Sequence, residues 1–168
     1  MPGQIIIEAI AALGDVAVRA AIAGPLREWK LNSFYEDLSR GQKRAFLEVA
    51  CAAIVHDGQV SEREEKWLEK RREKSESEEE KELVDDALET VRTALPIGAD
   101  HPDYKAFILK RAAGFETAKE REKVWMAAHV ILKACGAENA AHVLFAEALG
   151  VSDVRRTTIA TQMDLGVR

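Results

Sequence analysis

Cysteine is scarce in this 168-residue chain: only Cys51 and Cys135 occur, both inside apolar stretches that read as helix. Two isolated thiols give no disulfide framework of the secreted kind, and such residues ordinarily behave as small buried hydrophobes. A reducing, cytoplasmic setting is the expectation. Basic charge is also short: 24 Lys and Arg stand against 29 Asp and Glu, a formal net charge of −5. Nucleic-acid binding rests on clustered Lys and Arg, so no nucleic-acid partner is expected. No run alternates apolar and polar residues with period two, which leaves no signal for a sheet. No Gly-rich phosphate loop precedes a helix, and no Gly-x-Ser-x-Gly elbow is present. A His-Glu-x-x-His helix and a paired Glu-x-x-His motif are also missing. Nothing in the chain prompts an enzyme.

What remains is helix. At 47% hydrophobic and 32% charged residues, the chain has the length and composition of one globular domain that needs neither metal nor disulfide to hold a core. Residues 5–26 form an apolar amphipathic helix whose polar stripe is Gln4, Glu8, Asp15 and Arg19, closed by Gly24-Pro25. Its wide apolar face packs on its own domain or on a second copy. Peripheral membrane contact is the weaker alternative, because the polar face lacks the Lys and Arg that such helices favour. Residues 1–25 are read as this helix, and 26–168 as an all-helical domain.

Within that domain, helix is expected over 31–38, 42–56 after a break at Gly41, onward from Ser61, 78–94, and from Pro102 through Ile108. The face Val84, Ala87, Leu88, Val91 and Leu95 has the helical period, as does Val124, Trp125, Ala128, Ile131, Leu132 and Cys135. Thr117 with Glu120 forms a capping box, Gly136 and Gly150 are stops, and a last short helix begins after Ser152. Acids outnumber bases about two to one between Glu62 and Glu89. That run reads as a solvated face or as a docking surface for a basic partner. At an offset of 78 residues, Phe46 falls on Val124, Gly58 on Gly136 and Trp67 on Phe145. Each half then reads as apolar helix, glycine corner, helix.

The chemistry concentrates at His56-Asp57-Gly58-Gln59-Val60-Ser61-Glu62-Arg63-Glu64. Gly58 supplies a backbone free to enter positive φ, and Ser61 with Glu64 caps the next helix. Oxygen ligands at a helix-to-helix corner suit a hard cation, and the same residues also suit a well-made corner with no ligand. Calcium takes six to eight oxygens and magnesium one or two carboxylates with waters, whereas Asp57 and Glu64 offer two carboxylates, with Glu62 nearby. The earlier acids of an EF-hand loop are absent, since Ala53 and Val55 occupy their places. Softer ligands form a second set in Cys135, Glu138 and His142. Zinc favours Cys and His in fours, and no Cys-x-x-Cys or His-x-x-x-His pair accompanies them, so buried structural roles compete with ligation. His101, ahead of Pro102, reads as a solvated loop residue.

The run from Ala52 to Glu64 resembles the first signature of the tellurite-resistance TerB-like family: an Ala-rich apolar helix, an Asp-Gly corner, an apolar residue two further on, then Ser and Glu. The segment ending Glu147-Ala148-Leu149-Gly150-Val151-Ser152 resembles the second signature in layout. The resemblance spans roughly residues 30 to 155. It implies a compact all-α bundle of about seven to nine helices with an internal pseudo-twofold duplication. It also implies a link to stress and tellurite-resistance systems and a divalent-cation site at the acidic corners, which with the cytoplasmic, non-enzymatic reading above makes a weak cation site the expected function. Asp57 and Glu64 match the acidic positions, with Glu62 adjacent; calcium or magnesium is the implied ion and zinc the lesser choice. The second corner departs from the pattern, with Cys135 at the Asp position and His142 at the Glu position. The alternative is a helical module for protein–protein contact or homo-oligomerisation through the N-terminal helix or the acidic face.

Overall fold

The computed structural model describes residues 30–56, 78–96, 99–134 and 137–164. The expected N-terminal helix, the corner holding Asp57, Glu62 and Glu64, the helix of Trp67 and Leu68, and Cys135 all lie outside the described residues. The described residues form seven helices, and no strand occurs among them: α1 (Leu31–Glu36), α2 (Arg40–Val55), α3 (Glu78–Ala94), α4 (His101–Ala112), α5 (Ala118–Ala134), α6 (Asn139–Ala148) and α7 (Asp153–Asp164).

Helix α2 is the centre of the fold and packs against α3, α4 and α5. Every residue from 46 to 54 is buried, so this helix has no solvent face over more than two turns. The run Ala50-Cys51-Ala52-Ala53 makes that feasible, because small side chains let neighbouring backbones approach closely. Around it lie the largest fully buried side chains, among them Trp125, Tyr35, Phe46, Phe115 and Phe145. The rings of Tyr35 and Phe46 meet at 5.5 Å between centroids, tilted by 55°. Val84, Ala87, Leu88 and Val91 of α3 and Leu95 just past its end are all buried, as are Val124, Trp125, Ala128, Ile131 and Leu132 of α5.

The helix starts follow local hydrogen bonding. Thr117 and Glu120 exchange the two bonds of a capping box (3.2 and 3.1 Å). Two further boxes move starts away from their expected places. Ser39 and Gln42 cap each other (3.2 and 3.3 Å), so α2 begins at Arg40 and Gly41 lies inside its first turn. One glycine there costs about 1 kcal/mol of helix propensity, which a reciprocal cap of similar worth offsets. Asp100 and Asp103 do the same for α4 (3.2 and 3.1 Å). His101 is therefore the first residue of a helix and not a loop residue. Gly150, at φ 73°, ends the turn after α6 in a conformation that favours glycine.

One carboxylate lies in the core. Glu48 of α2 is 5% exposed. Its Oε2 accepts from Arg111 Nε of α4 at 2.8 Å, and its Oε1 accepts from Arg44 Nε at 3.1 Å. The Arg111 guanidinium also donates to the Phe107 carbonyl (3.2 Å) and lies 3.6 Å above the Phe107 ring. Both oxygens of a buried anion are thus satisfied by cations, the condition under which such burial is tolerated. Glu48→Ala would leave Arg111 without its anion. Urea denaturation should report a loss of about 3–5 kcal/mol, against less than about 0.5 kcal/mol for the exposed Leu109→Ala.

Candidate functional site

The first set of sequence-derived ligands, Asp57, Glu62 and Glu64, lies outside the described residues, but the helix that leads into it is described to its end. His56 is the C-cap of α2, and its N–H bonds to the Ala52 carbonyl at 2.9 Å. Its ring meets Tyr104 edge-on at 4.9 Å, Phe145 at 6.1 Å and His101 at 5.9 Å. The last turn before Asp57 is therefore wedged between α4 and α6.

Of the second set, Cys135 lies outside the described residues. Glu138 is the exposed N-cap of α6 and makes no side-chain capping bond. His142 is buried, and its Nδ1 lies 2.9 Å from Nδ1 of His129 on α5. Glu138 and His142 are thus not brought together on one surface. His142 turns into the core, where its partner is another histidine.

That histidine pair has a built setting. The Trp125 ring stacks on His129 at 4.8 Å and 25°, and Trp125 Nε1 donates to the His142 carbonyl at 3.3 Å. The other nitrogen of His129, Nε2, makes no hydrogen bond and lies 3.9 Å from Asp164 Oδ1. Lys133 pairs with that same carboxylate oxygen. Burial above all, then the His142 ring, outweighs Asp164 and pushes the His129 imidazole down to about 4. His142 is lowered too, by burial first and then by Arg156. Both rings are neutral at pH 7. Sequence spacing gave no direct signal of this pair: its members are 13 residues apart on two apolar helix faces.

Elsewhere the chemistry is quiet. Burial, with the charge of Glu48 beside it, pushes the Cys51 thiol up to about 12, so it carries no nucleophile and no ready soft ligand. Among the described residues, no three His, Cys, Asp or Glu side chains converge as a metal-binding group. A shallow groove of about 500 Å³ between α2 and α3 is lined by Arg44, Asp86, Glu89, Thr90, Thr93 and Ala94. No described helix is long and apolar enough to cross a membrane. Comparison with protein-family models, with curated proteins and with solved structures finds no match.

The thiol at Cys51 can be tested directly. At pH 8 a group that ionises near 12 is thiolate in only about one molecule in ten thousand. Iodoacetamide should leave Cys51 unmodified in the native protein and alkylate it fully in urea, as read by peptide mass spectrometry.

Proposed function

We propose that this chain is a TerB-like, non-catalytic, stress-linked cytoplasmic protein whose corner at Asp57, Glu62 and Glu64 takes a divalent cation, calcium or magnesium. The observation that carries this reading is the anchoring of the helix ahead of the corner. Residues 46–54 are buried without interruption, and the His56 ring is held by Tyr104 and Phe145. A corner that starts from a fixed point loses less entropy on ordering around an ion than one that starts from a loose end.

The duplication that the family resemblance implies has support of the same kind. At the offset of 78 residues, Ser39 and Gln42 fall on Thr117 and Glu120, so the capping boxes of α2 and α5 coincide. The helices that precede these two are exchanged in space: α1 packs on α5, and α4 packs on α2. Reciprocal packing of this sort is what a pseudo-twofold axis produces. The engagement of His142 by His129 puts the weight of cation binding on the first corner.

The test is an amide NMR titration of the full, chelator-treated chain with calcium, magnesium and zinc. Saturable shifts at residues 57–64 are expected, in the weak range of about 10⁻⁴–10⁻³ M, and Asp57→Asn should weaken binding about tenfold or more. Absence of saturable shifts there with every ion would refute the site and leave Asp57 and Glu64 as turn and cap residues.

A further inference from the structure

Two imidazole nitrogens facing each other at 2.9 Å must share one proton: one ring donates and the other accepts. A first additional proton can enter at an Nε2 and leave that bond in place. A second puts a proton on both facing nitrogens, and two donors cannot hold that distance. The pair is thus a contact with a defined limit of proton uptake. It lies where three helices meet: His129 on α5, His142 on α6, and Asp164 of α7 beside His129 Nε2 at 3.9 Å. A metal ion is a poorer occupant of this place, since Lys133 and Arg156 both add positive charge to it.

We propose that the His129–His142 pair is an acid-responsive latch: while both rings are neutral it closes α6 and α7 onto α5, and protonation of the pair releases them. The charged groups acting on it are Lys133 from α5 and Arg156 and Asp164 from α7; the two cations oppose protonation and Asp164 favours it. Because Trp125 both stacks on His129 and holds the His142 carbonyl, displacing either ring also loosens α6 from α5. Helix α7 is the part free to leave. Ile159 is its one buried side chain, and its charged tethers to α5 are the exposed pairs Arg155–Glu122 (2.9 Å) and Lys133–Asp164.

The direction of the pH dependence follows from linkage. The folded-state value of His129 lies below the ordinary 6.5, at about 4. The latch is therefore fully closed above pH 6.5 and weakens as pH falls from 6.5 towards 4, because the released state binds protons more tightly. Raising the folded-state value shrinks that effect and lowering it enlarges the effect.

The experiment follows the histidine Cε1–H signals and the exchange of α7 amides in the full chain from pH 7.5 to 4.5. Expected is loss of α7 protection together with titration of the two rings. Substitution of either ring would leave a hole in the core, so the decisive variants keep both. Arg156→Gln removes a cation and should move the midpoint of α7 release down by roughly half a pH unit, although it deletes the Asp153 contact. A merely structural arginine would move the midpoint up. Asp164→Asn should move it up. The latch is overturned if Arg156→Gln raises the midpoint or leaves it unchanged, or if the rings titrate while α7 amides stay protected. The corner at Asp57 takes no part in either readout, so this inference and the cation reading stand or fall separately.

Discussion

The ion network at Glu48 is the constraint on which the arrangement of the helices depends. A helix buried on all sides, as α2 is over residues 46–54, has no amphipathic stripe to fix its rotation, because any rotation buries apolar surface. A single carboxylate removes that freedom. It must meet cations, and Arg111 on α4 and Arg44 one turn back supply them at 2.8 and 3.1 Å. Arg44 travels with α2, so it is the Arg111 bond to Oε2 that constrains the rotation and axial position of α2 against α4. Gln42 reinforces the same register by donating to the Gly114 carbonyl at 3.2 Å. The pair adds little net free energy once desolvation is counted; what it supplies is a penalty on every other register.

From that register the rest follows by connection. Helix α4 leads through the turn at Gly114 and the buried Phe115 into α5, and Arg121 donates to the Phe115 carbonyl at 2.8 Å. So α5 starts from a point fixed against α2. It then carries Trp125 and His129 to the place where α6 and α7 pack. The two buried polar contacts use opposite electrostatics. The Glu48 carboxylate accepts from two guanidinium groups, whereas His129 and His142 stay neutral because burial, and then two nearby cations, oppose imidazolium.

What was legible in the sequence was local. The buried faces of α3 and α5 have the 3.6-residue period, and Thr117, Glu120 and Gly150 act where short-range rules put them. The starts of α2 and α4 were harder because two signals compete within three residues. Gly41 reads as a break unless the Ser39–Gln42 box around it is weighed, and Pro102 draws the start forward although Asp100 is the cap. The polar contacts were beyond periodicity altogether. Glu48 and Arg111 are 63 residues apart, and a glutamate on a helix with no polar face carries no sign of its partner. The histidines sit on faces that read as apolar, so their meeting emerges only when α5 and α6 are packed. The candidate ligands Asp57, Glu62, Glu64 and Cys135 lie outside the described residues. Of the six, Glu138 and His142 alone have a described setting, one exposed and one buried.

Under the proposed duplication, the two halves differ in how each places polarity at matched positions. At the offset of 78, Arg44 falls on Glu122, Glu48 on Met126 and Cys51 on His129. In α2 the pair at positions 44 and 48 closes within one helix and reaches α4. In α5 the charge at the first position is reversed, and Glu122 reaches Arg155 of α7 at 2.9 and 3.0 Å. That guanidinium holds the Glu122 carboxyl below its usual range. The second position is apolar, and the buried polar group moves to the third, as His129. Under the proposed duplication, then, the first half fixes register with a buried anion, while the second holds its outer helices with an exposed ion pair and a neutral pair of rings. The first arrangement suits a helix that must present a corner at a constant position. The second suits helices that part on protonation as proposed, so under both proposals the matched positions divide the bundle into a fixed half and a responsive one.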